Sequence, residues 1–152
     1  MRITFLILFL SFLSSHLYAQ KFSLASHEVS PGSVCSLYDI RFQLGRDSLL
    51  PGQSQLDSLV GFLLNNSVLS IELGVHTDFR GDDDRNLKLS QKRAESIKTY
   101  LTAQGVSANR IKPIGFGENQ PIIEHKEWEV LIEKHRCGYS GRTNRRVTVV
   151  IL

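Results

Sequence analysis

Asp78 and Arg93 are the two residues whose types and spacing suggest chemistry. They lie in His76-Thr77-Asp78-Phe79-Arg80-Gly81-Asp82-Asp83-Asp84-Arg85-Asn86 and its continuation to Ala94. Ser90 is an N-cap type, and Ala94, Ile97 and Leu101 recur at helical spacing, which predicts a helix from about Gln91 to Gln104 with Arg93 in its first turn. A cation there faces the partial positive charge of unpaired N–H groups, so an anion is expected beside it. Asp78 could be that anion. Alternatively an external carboxylate docks on Arg93 while Asp78 holds an ammonium group, which makes a receptor for an amino-acid zwitterion.

Other candidate chemistries are weaker. Asp78, Asp82, Asp83 and Asp84 lack the alternate acids, central glycine and closing glutamate of a calcium loop, and read as a solvated acidic turn; no metal site is expected. His76 beside Asp78 has no nucleophile elbow, second positioned carboxylate or metal triad around it, so the chain reads as a non-enzyme. Arg80-Gly81-Asp82 spells an adhesion tripeptide, a match too short to carry weight. Gly115-Phe116-Gly117 lacks the rest of a dinucleotide fingerprint, and no cofactor is implied.

These residues need elements to position them. Leu69, Ile71, Leu73 and Val75 alternate with polar or small residues, predicting a strand over 68–76 whose carboxyl end presents Asp78. Tyr38, Ile40 and Phe42 predict an earlier strand ending near Gln43. Pro51 suits the first turn of a helix carrying Leu56, Leu59, Val60, Leu63 and Leu64 as a core stripe. Gly105 should stop the second helix, a third strand covers about 110–116, and Val147, Val149 and Ile151 mark a last strand. The order strand, helix, strand, helix, strand implies parallel pairing with right-handed crossovers. Residues 122–137, with Trp128, Leu131, Ile132 and His135, predict a short amphipathic helix before the last strand; it packs on the sheet or docks a partner.

Residues 1–19 have the charged start, apolar run and Leu17-Tyr18-Ala19 end of a signal peptide, placing the protein in an exported compartment. Residues 20–34 read as a leader and 35–152 as one domain. Removing Arg2 takes the formal charge from +3 to +2, too small an excess to indicate a nucleic-acid partner. Cys35 and Cys137 both remain after export, as a disulfide or as free thiols.

In order, Gly74-Val75-His76-Thr77-Asp78, Gly81, Asn86, Leu89-Ser90, Arg93-Ala94, Ile97, Tyr100-Leu101, Gly105, Gly115-Phe116-Gly117-Glu118 and Asn144-Arg145-Arg146-Val147 resemble the OmpA-like C-terminal domain. That family is a peptidoglycan-binding module of the bacterial envelope, and the resemblance runs from about Tyr38 to Leu152. It implies a mixed α/β fold, β-α-β-α-β-β, with strand order 1-4-2-3 and the last strand antiparallel. It also implies a periplasmic location at the outer membrane or cell wall, and a ligand: the diaminopimelate side chain of the peptidoglycan stem peptide. Asp78 and Arg93 match the family's recognition residues, and Thr77 and Asn86 match positions lining the same pocket. With that strand order, Asn144 and Arg145 come close to Asp78, and Arg145 or Arg146 forms a pocket wall. Cys35 and Cys137 would then lie towards opposite ends of the sheet, so a bridge requires the connection before the last strand to fold back. Two departures mark this chain. Gln43 stands where many relatives carry an acid, so it can accept from an ammonium group without supplying charge. Residues 124–141 form a longer, more charged connection than usual, which could roof the pocket or contact another envelope protein.

Overall fold

The computed structural model describes residues 21–25, 29–127 and 142–152. Its order is β1 (Val34–Leu37), α1 (Ser54–Asn65), β2 (Ile71–His76), α2 (Asp83–Ala103), a 3-10 turn (Ala108–Arg110), β3 (Ile111–Gly117) and β4 (Val147–Ile151). The four strands form one sheet in the order β1-β4-β2-β3, the order that the resemblance implied. β4 runs antiparallel to both neighbours, whereas β2 and β3 are parallel. Strand alternation sends Ile71, Leu73 and Val75 of β2, Cys35 and Leu37 of β1, and Val147, Val149 and Ile151 of β4 into the core. Leu56, Leu59, Val60 and Leu63 of α1 and Ala94, Ile97 and Leu101 of α2 complete it. Leu64, expected in the stripe, is half exposed, and Phe62 is buried instead. The leader contributes too: Phe22 N donates to the Val34 carbonyl, and Phe22, Leu24 and Val29 pack against the core.

The structure corrects three local expectations. The first strand is Val34–Leu37, not Tyr38–Gln43. Side-chain amides satisfy the later backbone: Gln55 Oε1 accepts from Tyr38 N and Asp39 N, and Gln53 bonds both the N–H and the carbonyl of Arg41. With those groups paired to side chains, the segment joins the sheet nowhere, and only Phe42 bridges to Leu49. Second, Pro51 precedes α1 rather than opening it; the helix begins at Ser54.

Third, α2 starts at Asp83, eight residues before the expected Gln91. Asp82 is the N-cap, its side chain accepting from Arg85 N, and Asp83 and Asp84 place negative charge in the first turn. Ser90 is therefore inside the helix and fully buried, donating to the Leu87 carbonyl and accepting from Gly117 N at 2.9 Å. Arg93 sits in the third turn, so the helix-end argument for an anion beside it does not hold. Gly105, at φ +98°, ends α2 as expected.

Trp128 and the rest of the expected helix to residue 137 lie outside the described residues, as does Cys137. Cys35 is buried in the core, and burial raises its thiol pKa.

Candidate functional site at the carboxyl end of the second strand

α2 approaches β3 closely because Gly115 leaves room: a Cβ there would lie 2.2 Å from Gln91 N and 2.6 Å from its Cα. Gly115 N donates to Gln91 Oε1 at 2.7 Å, and the Ser90 bond to Gly117 N fastens the next residues. The β2–β3 register slips between Val75 and His76, so His76 pairs with Gly117, and Thr77 N donates to the Gly117 carbonyl. This irregularity carries the chain from β2 into Thr77 and Asp78 with its backbone still bonded to β3.

Asp78 is 6% exposed. Its Oδ1 accepts from Arg80 N at 3.2 Å, a local turn that an aspartate favours. Its Oδ2 is paired with Arg145 Nη1, while Arg80 Nε stands 4.0 Å away. A carboxylate offers about four lone-pair sites, so Asp78 keeps acceptor capacity beyond these bonds. Arg145 comes from the entry to β4, where antiparallel pairing sets Val147 against Val75. The topology thus brings Arg145 to Asp78. Arg146 points elsewhere, donating to the carbonyls of Gln120 and Asn144, and burial lowers its pKa.

Arg93 is half-buried. Its guanidinium lies 4.7 Å from the centre of the Phe42 ring, and its Nε donates to the Arg46 carbonyl at 3.0 Å. Burial lowers its pKa, while the charge of Asp47 opposes that shift, Arg145 adds to it and Asp78 opposes it. All three charges therefore act on one guanidinium. Among the described residues no ion pair joins Arg93 to Asp78. Gln43 is exposed in the same loop, its N–H bonded to the Ser48 carbonyl.

Asn86 is buried, and its amide nitrogen is spent inside the protein. Nδ2 donates to Glu118 Oε2 at 2.7 Å and to the carbonyls of Arg80 and Asp78, at 3.2 and 3.4 Å. It shapes the turn that presents Asp78. Thr77 Oγ1 is buried beside Asp78 with no hydrogen-bond partner among the described residues. His76 is buried, stacked on Phe116 with ring centres 4.9 Å apart, and its Nε2 is 3.1 Å from Thr148 Oγ1. Burial, aided by Arg146, pushes its pKa down to about 3, so at neutral pH it is an uncharged packing element.

Two further residues have roles here, and the sequence assigned neither of them a contact. Asp47 had no motif around it. Asn144 was noted only for its place in the chain: it is buried, its Oδ1 accepts from Ile122 N and Ile123 N, and its Nδ2 donates to the Ile123 carbonyl. That anchorage fixes the residue immediately before Arg145.

Fold and site together define a mixed α/β domain with an acid and two arginines gathered at the carboxyl end of its second strand. The OmpA family model matches residues 41–134, and the chain belongs to that family. It is 40% identical over 81 residues to a peptidoglycan-associated lipoprotein of Buchnera aphidicola subsp. Baizongia pistaciae, covering 53% of this chain and 46% of that protein. Over 99 residues it is 40% identical to outer membrane protein A of Klebsiella aerogenes, covering 62% of this chain and 28% of that one. The chain spans about a quarter of the length of the porin-type relatives it matches, 27% of outer membrane porin F from Pseudomonas fluorescens. Among solved structures, the peptidoglycan-associated lipoprotein from Burkholderia pseudomallei superposes with a TM-score of 0.59 at 26% identity, covering 77% of this chain and 89% of that one.

Proposed function

We propose that the chain is a non-enzymatic envelope module that binds peptidoglycan noncovalently, through the diaminopimelate zwitterion of the stem peptide. Asp78 receives the ammonium group, and Arg93 and Arg145 receive the carboxylate. Thr77 Oγ1 is the neutral hydrogen-bonding group at hand, and Asn86 and Glu118 hold the turn in shape. Gln43, on the loop that Arg93 grips, lines the outer edge. Export to the periplasmic side of an outer membrane, directed by residues 1–19, accords with relatives named as outer-membrane or peptidoglycan-associated proteins.

One observation carries this reading. A buried carboxylate with spare acceptor sites lies within electrostatic reach of two arginines whose bonds among the described residues leave nitrogens uncommitted. Among the described residues Arg93 commits Nε and Arg145 commits Nη1, so each retains donors there for a bidentate carboxylate. Co-sedimentation with purified diaminopimelate-type peptidoglycan, with free meso-diaminopimelate as competitor, tests it. Retention that the competitor reverses is expected; retention indifferent to it would exclude the zwitterion as ligand.

A further inference from the structure

Of the loop between Phe42 and Leu49 the reading above uses only Gln43, yet Arg93 holds the loop at two points. The Phe42 ring lies under the guanidinium, and the Arg46 carbonyl accepts from Nε. The loop closes on itself through the Phe42–Leu49 bridge, Gln43 N to the Ser48 carbonyl at 2.8 Å, and Arg46 N to the Gln43 carbonyl at 2.9 Å. Gly45 takes φ +66° at its tip. Asp47 directly follows the carbonyl that Arg93 grips and is half-buried, whereas Gln43 to Arg46 are exposed.

We propose that Asp47 is a specificity-determining residue of the site: its carboxylate supplies a resident negative charge beside Arg93 and disfavours ligands that bring a carboxylate without an ammonium group. This inference rests on Arg93 being the ligand's carboxylate receptor. Asp78 is paired directly with Arg145, so it leaves Arg93 less compensated than the number of acids suggests. Asp47 follows the Arg46 carbonyl that Arg93 Nε grips, and its charge opposes the lowering of the Arg93 pKa by burial. Among the described residues, the end of the site then holds Arg93 and Arg145 against Asp47 and Asp78, with Arg80 and Glu118 adding one charge of each sign. A charge-balanced pocket matches a ligand that is itself neutral overall. A bare anion entering it gains Arg93 only by competing with Asp47, and no ammonium group repays Asp78.

The test compares meso-diaminopimelate with its N,N′-diacetyl derivative, which keeps the carboxylates and loses both ammonium charges. Affinities are measured by calorimetry for the wild type, Asp47→Asn, Asp47→Ser and Asp84→Asn, with folding checked by circular dichroism. Asp84→Asn makes the same change of charge at an exposed position in the first turn of α2. Both Asp47 variants should tighten the diacetyl compound relative to diaminopimelate by about threefold or more, and Asp84→Asn should leave the ratio unchanged. A ratio equal in all four proteins overturns the inference. If the wild type binds neither compound, the zwitterion reading itself has failed. The Arg93–Asp47 relation is then read from the Arg93 Nε–H resonance: displacement in Asp47→Asn alone supports it, and an unmoved resonance overturns it.

Discussion

Arg145 and Asp78, 67 positions apart in sequence, form a charge-assisted hydrogen bond across the β2–β4 boundary. The pair couples the antiparallel last strand to the acid at the end of the second. Asp78 is largely buried and Arg145 is 43% exposed, so loss of the arginine leaves the carboxylate with Arg80 as its remaining ionic partner among the described residues. A hydrogen bond to a charged group is worth about 1.5–3 kcal/mol, and solvent screening at the 43% exposed Arg145 reduces it, so Arg145→Ala should cost about 1 kcal/mol of stability and weaken wall binding by roughly tenfold. Urea unfolding and a binding isotherm on purified peptidoglycan check the two effects separately.

Gly115→Ala should be among the most damaging single-methyl additions. Its Cβ would meet the backbone of Gln91, which cannot rotate away, so α2 must move off β3. Overpacking of this kind costs about 1–3 kcal/mol or more. The shift also breaks the Ser90 and Gln91 bonds to β3, so urea melts should show lost stability together with weaker binding.

His76 predicts an acid-sensitive fold. Its folded pKa is about 3 against an ordinary 6.5, so between those values the unfolded chain binds a proton that the folded chain refuses. The stabilisation is complete above about pH 6.5 and is lost as pH falls towards 3, at up to about 1.4 kcal/mol per pH unit. His76→Gln removes this group's titration. Stability measured at several pH values should fall less steeply on the acid side in the variant than in the wild type.

Arg110 closes the far end of the sheet. Its guanidinium donates to the carbonyls of Leu69, Leu63 and Asn66, at 2.6, 2.9 and 2.7 Å, tying the end of α1 to the approach to β2. Arg110→Met keeps the apolar stem and removes the donors. Thermal or urea unfolding should show a loss of about 2–3 kcal/mol, with wall binding by the folded fraction unaffected.

The sequence made most of this frame legible, for physical reasons specific to each element. α1, β2 and β4 carry strong apolar periods, and Gly105 ends α2 where a positive φ is required. The start of α2 was hidden because its first two turns contain no apolar stripe: Asp83 to Lys88 are polar apart from Leu87, and Ser90 imitates a cap. Strand β1 was misplaced because Tyr38, Ile40 and Phe42 alternate more visibly than Val34–Leu37, and nothing local reveals that Gln53 and Gln55 will take their backbone bonds. Asp78 stood out by residue type and by its place after a strand, whereas Arg93 was singled out on a helix start that the structure moves to Asp83, and that Arg145 rather than Arg146 pairs with Asp78 needed the tertiary geometry. The commitments of Asn86, Asn144 and Asp47 depend on tertiary closure and leave no local signature.

Co-sedimentation with purified peptidoglycan of the wild type, Asp78→Ala and Arg93→Ala, with folding verified by circular dichroism, tests the central claim most directly. The wild type should pellet with the wall, and both folded variants should stay in the supernatant. Pelleting of both variants to the wild-type extent would contradict the zwitterion receptor.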